Sequence, residues 1–220
     1  MIVLSLWVTN LPHKEIHMSG WIQHPITLDG QLVQLITLNK DHFSELEILA
    51  ADKRIWQHYV YDGTDSTRFR AVLKSALDEM LNGTQVPFVI YHKLVKKIVG
   101  STRFMDIQSL HRKLEIGSTW LHPDYWGTEV NLECKLLMLT YCFEKAGASR
   151  VQFKTDENNI RSRKAIEKVG GKFEGVLRHD MLRDNGTKRN SAYYSIINDE
   201  WKDLKVTLTD QLHKKLNIQR

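Results

Sequence analysis

The most constraining feature of the chain is the segment from Leu114 to Phe143, where a strand pattern runs through a short turn directly into a helix. The strand pattern breaks at His122-Pro123, and the turn contains Gly127. A strand that leads straight into a helix directs several free backbone N–H groups, and the positive end of the helix dipole, at one point in space. The segment therefore predicts a binding site for an anion, most often a phosphate.

Patterns on either side of this segment predict an α+β domain. Two early helices precede a run of antiparallel strands, and strands then alternate with helices to give a mixed, mostly antiparallel sheet. Two short strands are expected around Asp29-Gly30. Longer strands are predicted over 86–92, 97–106, 113–121, 150–155, 172–181 and 191–197, and helices over 39–57, 66–81, 130–143, 159–169 and 199–216.

Along the chain we expect an accessory segment (1–20), one domain (21–204) and a C-terminal helical extension (205–220). Alternation along the central strand places Glu115, Gly117 and Thr119 on one face and Trp120 on the other. In the helix that follows, the apolar spacing predicts that Leu136, Leu137, Leu139, Thr140 and Phe143 pack inward.

Composition restricts the class of protein. The 220 residues are 42% hydrophobic and 26% charged, which is typical of a soluble globular domain. A net charge of +5 from dispersed basic residues suits a small polyanionic ligand, and we expect no nucleic-acid partner.

Cys134 and Cys142 fall two helical turns apart, so they are interpreted as reduced core thiols of a cytoplasmic protein and not as a metal site. No run reaches the roughly 18 apolar residues of a membrane span, and the start lacks the basic region of a signal peptide.

Several motifs share an order and spacing that resembles the GNAT superfamily of N-acetyltransferases, in particular the RimJ/RimL branch that acetylates ribosomal proteins. The motifs are the strand–turn–helix segment, Asn159-x-x-Ser162, and Glu167-Lys168-Val169-Gly170, and the resemblance covers roughly residues 24–204. It implies a twisted sheet whose two central strands splay apart, with acetyl-CoA as co-substrate in the gap. These strands would be 113–121 and 150–155.

The resemblance also implies which residues bind the cofactor. The pantetheine would lie along the central strand at Trp120 and Leu121, and Asn159, Ser162 and Arg163 would contact the cofactor from the next helix. The pyrophosphate loop would comprise Trp126, Gly127, Thr128, Glu129, Val130 and Asn131.

Two residues of this loop depart from the family pattern. Glu129 stands where the family has a glycine, and Asn131 where it has a small residue. A carboxylate within ~5 Å of a pyrophosphate would cost on the order of 1–3 kcal/mol. This predicts weakened cofactor binding, and tighter binding in Glu129→Gly.

The implied reaction is direct attack of a neutral amine on the acetyl thioester in a ternary complex. Glu115 is the first candidate for the base, and the alternative is a surface carboxylate paired with Arg112 or Lys113. His122 is a second candidate, unless it is a loop histidine before proline. Ser162 is the candidate acid, although it also fits as a first-turn residue of a helix capped by Asn159. The backbone N–H of Trp120 or Leu121 would stabilise the oxyanion.

The acceptor remains open between a protein N-terminus and a small amine. Because Glu129 and Asn131 depart from the family pattern, an inactive CoA-binding module is a rival hypothesis. A basic nucleic-acid adaptor is a third one. The resemblance also suggests a homodimer, since related enzymes are often dimers.

Overall fold

An eight-stranded sheet forms the centre of the computed structural model, which describes residues 20–218. The strands are β1 (Thr27–Asp29), β2 (Val33–Thr37), β3 (Val86–His92), β4 (Lys97–Gln108), β5 (Lys113–Leu121), β6 (Arg150–Asp156), β7 (Lys172–Leu182) and β8 (Lys188–Ile197). Their order is β1-β2-β3-β4-β5-β6-β8-β7, and every neighbouring pair is antiparallel except β5 and β6. The α+β prediction with a mixed sheet is confirmed. The predicted accessory segment, 1–20, lies outside the described residues except for Gly20.

Helices cover both faces of the sheet. The helices are α1 (Phe43–Ala50), α2 (Ser66–Leu81), α3 (Val130–Thr140), α4 (Ile160–Lys168) and α5 (Asn198–Ile218). One face packs against α1 and α2, and the other packs against α3 and α5. α5 continues without a break across residue 204, and its Leu208 and Leu212 are buried in the main core.

The first predicted helix, 39–57, is interrupted. It consists of a 3₁₀ turn at Lys40–His42, the two-turn helix α1, and a second 3₁₀ turn at Lys53–Ile55. The Asp52 carboxylate accepts a hydrogen bond from the Arg54 N–H at 2.9 Å. Such a local side-chain acceptor competes with helical hydrogen bonding and favours a new turn.

The predicted inward side of α3 was only partly right. Leu139 is buried, and Leu136, Leu137 and Phe143 are partly buried and pack against the core, whereas Thr140 is partly exposed and is not part of it. The buried positions include Glu133 and Lys135, two charged residues that the apolar pattern assigns to solvent. The buried side of α3 is therefore wider than predicted and includes these two charged residues.

The two central strands separate soon after they begin. β5 and β6 pair only at Lys113–Arg150, Leu114–Val151 and Glu115–Gln152. Beyond Glu115 they diverge and leave a gap in the middle of the sheet, as the predicted splay requires. All further features of the candidate site lie around this gap.

A bulge in β5 changes which side chains face which helices. Ser118 has a φ of +47°, and the pairing with β4 shifts by one residue there. Trp120 consequently packs with Trp56, at 5.6 Å between ring centroids, while Thr119 faces α3. The predicted grouping of Thr119 with Glu115 was therefore wrong, because a bulge adds one residue and reverses the alternation beyond it.

Candidate active site

A cavity of about 390 Å³ occupies the gap between β5 and β6 and is lined from both faces of the sheet. Tyr59 and Arg103 line it on the side of α1 and α2, and Asn131 and Lys135 line it on the side of α3. Strand divergence alone opens such a passage, because no neighbouring strand fills the space between the two backbones.

The edge of β5 that borders the gap presents backbone donors. The His122 N–H donates to the Val99 carbonyl of β4 at 2.8 Å. Since successive peptide groups of a strand point to opposite edges, the N–H and carbonyl of Leu121 face the gap. Its carbonyl already accepts the Trp126 indole N–H at 2.9 Å, and the Thr119 carbonyl accepts the Tyr59 hydroxyl at 2.8 Å. Side chains therefore occupy the acceptors of this edge, and the Leu121 N–H is directed at the cavity.

Glu115 lies at the point where β5 and β6 part. Its side chain lines the cavity, and the residue is only 5% exposed. Gln152 Nε2 donates to Oε2 at 3.2 Å, and Lys154 Nζ lies 3.8 Å from the same oxygen. Burial raises the pKa of this carboxyl above its usual value, although Lys154 and Gln152 oppose the shift. The alternative of a surface carboxylate paired with Arg112 or Lys113 was wrong.

The start of α4 forms another part of the wall. Asn159 Oδ1 accepts the Ser162 N–H at 3.0 Å, so Asn159 is the N-cap of this helix. Asn159 and Ser162 both line the cavity. The Arg161 guanidinium lies 3.5 Å from the centroid of the Trp126 ring, which connects α4 to the loop after β5.

Arg163, predicted to contact the cofactor, is engaged elsewhere. Its Nε donates to the Tyr194 hydroxyl at 2.8 Å, and its guanidinium lies over the Phe173 ring at 5.3 Å. It is not among the residues that line the cavity, whereas Arg161 is. The arginine of α4 that faces the gap is therefore Arg161.

The loop before α3 has a different arrangement from the predicted one. Gly127 has a φ of +78° and lines the cavity, with open space where a Cβ would be. Glu129 is buried, and its Oε1 lies 3.0 Å from Nζ of Lys215 on α5. Thr128 donates to the Tyr125 carbonyl at 2.8 Å, and Val130 is part of the core. The Glu129 carboxylate thus points at α5, and Glu129 is not among the cavity-lining residues.

His122, the second candidate for a base, also lies outside the cavity lining. Its Nδ1 accepts the Asp124 N–H at 3.4 Å and lies 3.3 Å from Asp124 Oδ2. This histidine therefore caps the 3₁₀ turn at Pro123–Tyr125.

Three buried cationic residues of the cavity wall were missed in the sequence. Lys135 Nζ donates to Thr119 Oγ1 at 2.6 Å, and burial lowers its pKa to about 8. Arg103 on β4 and Arg189 on β8 also line the cavity and are 7% and 9% exposed. For Arg103 the available signal was a basic residue in the interior of a strand pattern, in Thr102-Arg103-Phe104, whereas Arg189 stands in the polar run Lys188-Arg189-Asn190 and had no such signal.

Comparison of the sequence with known protein families gives one match that covers most of the sheet. Residues 33–172 match the family described as the acetyltransferase (GNAT) domain. The chain belongs to the GNAT family. The GNAT resemblance predicted from the motifs is thereby confirmed, and the splayed strands β5 and β6 lie inside the matched region.

Individual relatives share this assignment. The chain is 31% identical over 102 residues to the uncharacterized N-acetyltransferase YoaA of Bacillus subtilis and 30% identical over 104 residues to YdaF of the same organism, whose name provisionally assigns it as a ribosomal N-acetyltransferase. These matches cover 46% and 47% of this chain, and 56% of each relative. The chain thus spans little more than half the length of these two curated relatives.

Solved structures show the same GNAT fold over most of the chain. A GCN5-related N-acetyltransferase from Brucella melitensis has a TM-score of 0.79 at 25% identity and covers 86% of both chains. RimJ of Mycobacterium smegmatis, solved with a CoA disulfide, has a TM-score of 0.69 at 19% identity, covering 81% of this chain and 88% of RimJ. At 19% identity, the similarity to RimJ shows a shared fold only.

Two further observations concern residues 20–218 as a whole. No helix in this part of the chain is long and apolar enough to cross a membrane, and no group of three histidine, cysteine or acidic residues is arranged to hold a metal ion. Cys134 and Cys142 are both buried and free of disulfides.

Proposed function

We propose that the protein is an acetyl-CoA-dependent N-acetyltransferase that acts on a primary amine. The observation that carries this proposal is the cavity between the diverging strands, which brings the Leu121 peptide edge and the buried Glu115 carboxylate into one space. Membership of the GNAT family supports the same reaction class. The name of YdaF supports an amine acceptor, either a protein N-terminus or a smaller molecule.

The residues of the cavity fit acetyl-CoA. Its pantetheine carries amide carbonyls, which suit the N–H donor of Leu121, and Asn159 and Ser162 offer polar side chains on the opposite wall. Of the described residues that line the cavity, five are lysine or arginine and one is a carboxylate, which suits a polyanion. Gly127 leaves space at the start of α3 for the pyrophosphate.

Acetyl-CoA, when bound, supplies an acetyl group activated as a thioester. The Glu115 carboxylate takes a proton from the ammonium of the acceptor, and burial raises the pKa of this carboxyl, which makes it a stronger base. The Leu121 N–H stabilises negative charge on the oxygen it faces. The Ser162 hydroxyl lies at the cavity wall and is the proton donor for the leaving group.

The rival hypothesis, a CoA-binding module without activity, was motivated by Glu129 and Asn131. The Glu129 side chain is paired with Lys215 and does not line the cavity, and Asn131 lines it with a neutral side chain. No carboxylate of this loop therefore opposes the pyrophosphate.

Glu115→Gln provides the test. We expect turnover, measured as release of free thiol from acetyl-CoA with a panel of amines, to fall by about 10²–10⁴-fold because the proton acceptor is lost. Acetyl-CoA affinity, measured by calorimetry, should stay within a fewfold of wild type. Glu47→Gln, which removes a carboxylate outside the cavity that pairs with Arg70, is the matched control. Wild-type turnover in Glu115→Gln would contradict the assignment of the base.

A further inference from the structure

Two buried arginines, Arg103 and Arg189, line the cavity near Glu115 and have no role in the proposed proton transfer. Arg103 Nη1 donates to Gln85 Oε1 at 3.2 Å, and Gln85 in turn donates to the Glu79 carboxylate. Arg189 Nη2 lies 3.0 Å from both Ser191 Oγ and Met181 Sδ. Neutral groups therefore hold both guanidinium groups in place.

Neither arginine has a carboxylate as partner. Within the described part of the chain, no carboxylate oxygen lies within 4.0 Å of either guanidinium, and Nε of each is buried without a hydrogen-bond partner. Asp156, Asp180 and Glu115 lie within electrostatic reach of Arg189, and Glu79 lies within electrostatic reach of Arg103. However, Asp156 pairs with Arg183, and Asp180 Oδ1 accepts the Tyr193 hydroxyl at 3.1 Å, while Asp180 Oδ2 is buried without a hydrogen-bond partner.

The other arginines of the chain make this arrangement unusual. Several arginines that are more exposed pair directly with carboxylates, whereas neither Arg103 nor Arg189 has a carboxylate oxygen within 4.0 Å among the described residues. These pairs are Arg54–Asp52, Arg68–Asp184, Arg70–Glu47 and Arg150–Glu174.

Burying an unpaired charge is strongly unfavourable, and natural proteins normally pair such groups or use them in a functional site. Guanidinium groups bind carboxylates and phosphates through parallel N–H donors in a fixed plane. Both arginines have an unpaired Nε and both line the cavity, so an oxyanion in this space would supply the missing counter-charge.

We propose that the acceptor is an amine that also carries an oxyanion, either a carboxylate or a phosphate, which Arg103 and Arg189 bind while Glu115 receives the ammonium proton. This inference rests on the proposed function and narrows its substrate class. It excludes polyamines, whose second charge is positive, and peptide N-termini without a nearby acidic group. A zwitterion matches the cavity, because its wall presents one carboxylate and two arginines without direct carboxylate partners.

The first test compares matched acceptors in the thiol-release assay. β-Alanine is paired with β-alaninamide, and phosphoethanolamine with ethanolamine. We expect the anionic member of at least one pair to have a kcat/KM higher by about 30-fold or more, the usual effect of a buried hydrogen-bonded charge pair. The pair that shows the difference tells carboxylate from phosphate. Equal or better turnover of both neutral amines would overturn the inference and leave the proposed function standing.

The second test uses Arg103→Met and Arg189→Met, with Arg70→Met as the control on an exposed, paired arginine. We expect KM for the anionic acceptor to rise by about 30-fold or more with little change for its neutral counterpart. Because each substitution removes an unpaired buried charge, Tm of the free protein should stay the same or rise. A lower Tm with unchanged selectivity would assign the arginines a purely structural role and overturn the inference.

A binding measurement separates this inference from the proposed function. Calorimetry of β-alanine and phosphoethanolamine is carried out on the protein saturated with CoA, so no turnover is needed. Binding to wild type that is lost in Arg103→Met supports the oxyanion site even if no amine is acetylated. If neither β-alanine nor phosphoethanolamine binds, the oxyanion-site inference is overturned, whatever the result of the Glu115→Gln experiment.

Discussion

The Lys135 ammonium is buried beside Thr119 Oγ1, and it forms no ion pair with any of the described carboxylates. Desolvation lowers the pKa of this side chain to about 8, whereas an exposed lysine has a pKa of 10.5. Between these two values the unfolded chain binds more protons than the folded one. The contribution of Lys135 to the free energy of unfolding is therefore lowest below pH 8, where the lysine is charged in both states. It rises with pH between 8 and 10.5.

Lys135→Met should consequently stabilise the protein most at pH 7. The gain in the free energy of unfolding should shrink by about 3 kcal/mol as the pH rises from 8 to 10.5, since each pKa unit corresponds to about 1.4 kcal/mol. Urea unfolding of both proteins across this range measures the difference, and Lys74→Met on the exposed side of α2 is the control. A gain that is the same at every pH would show that Lys135 is not desolvated.

At the scale of elements, Glu133 connects α3 to the turn between β1 and β2. Its carboxylate accepts the N–H groups of Gln31, Leu32 and Val33 at 2.7, 2.8 and 2.7 Å. Glu133→Gln replaces one acceptor oxygen by a donor and leaves at least one of these three N–H groups without its acceptor. We expect a loss of about 2–4 kcal/mol in the free energy of unfolding.

Hydrogen exchange at these three amides provides the local readout for Glu133→Gln, and faster exchange should accompany the global destabilisation. Glu144→Gln, which removes a surface partner of Lys205, should cost less than about 1 kcal/mol. Similar losses in the two variants would contradict a structural role for Glu133 in holding the turn.

Most elements were predictable, but the orientation of some of their side chains was not. The ends of β3 and β5 agree with the sequence patterns, because alternation and turn residues mark them clearly. The bulge at Ser118 has no local signal, since a serine with positive φ is stabilised by the pairing around it. The missed cations at 103, 135 and 189 have the same cause: charged residues are assigned to solvent unless their tertiary surroundings are known.

At the scale of the whole molecule, the C-terminal helix reaches the loop before α3 through Lys215 and Glu129, which are 86 positions apart. No local pattern could predict this pair. Because Lys215 pairs with the Glu129 carboxylate, we no longer expect Glu129→Gly to tighten acetyl-CoA binding. Lys215→Met, by contrast, removes a positive partner of a buried carboxylate close to the loop.

We expect Lys215→Met to weaken acetyl-CoA affinity by about tenfold, in line with the 1–3 kcal/mol that a nearby charge costs when its compensation is reduced. Adding Glu129→Gln in the double variant should restore most of the affinity, because the negative charge is then absent. Calorimetry on the two single variants and the double variant tests this coupling. Additive effects of the two substitutions would show that the pair does not act on the loop.

The carbonyls of Thr119 and Leu121 accept hydrogen bonds from side chains, and this has a consequence for solubility. A gap inside a sheet exposes strand edges, and exposed edges recruit strands from other chains and promote aggregation. Adding a strand requires free donors and acceptors in alternation, but here Tyr59 and Trp126 already occupy two successive acceptors. The protein can thus keep an opening in the middle of its sheet for a carbonyl-bearing ligand without offering a template for self-association.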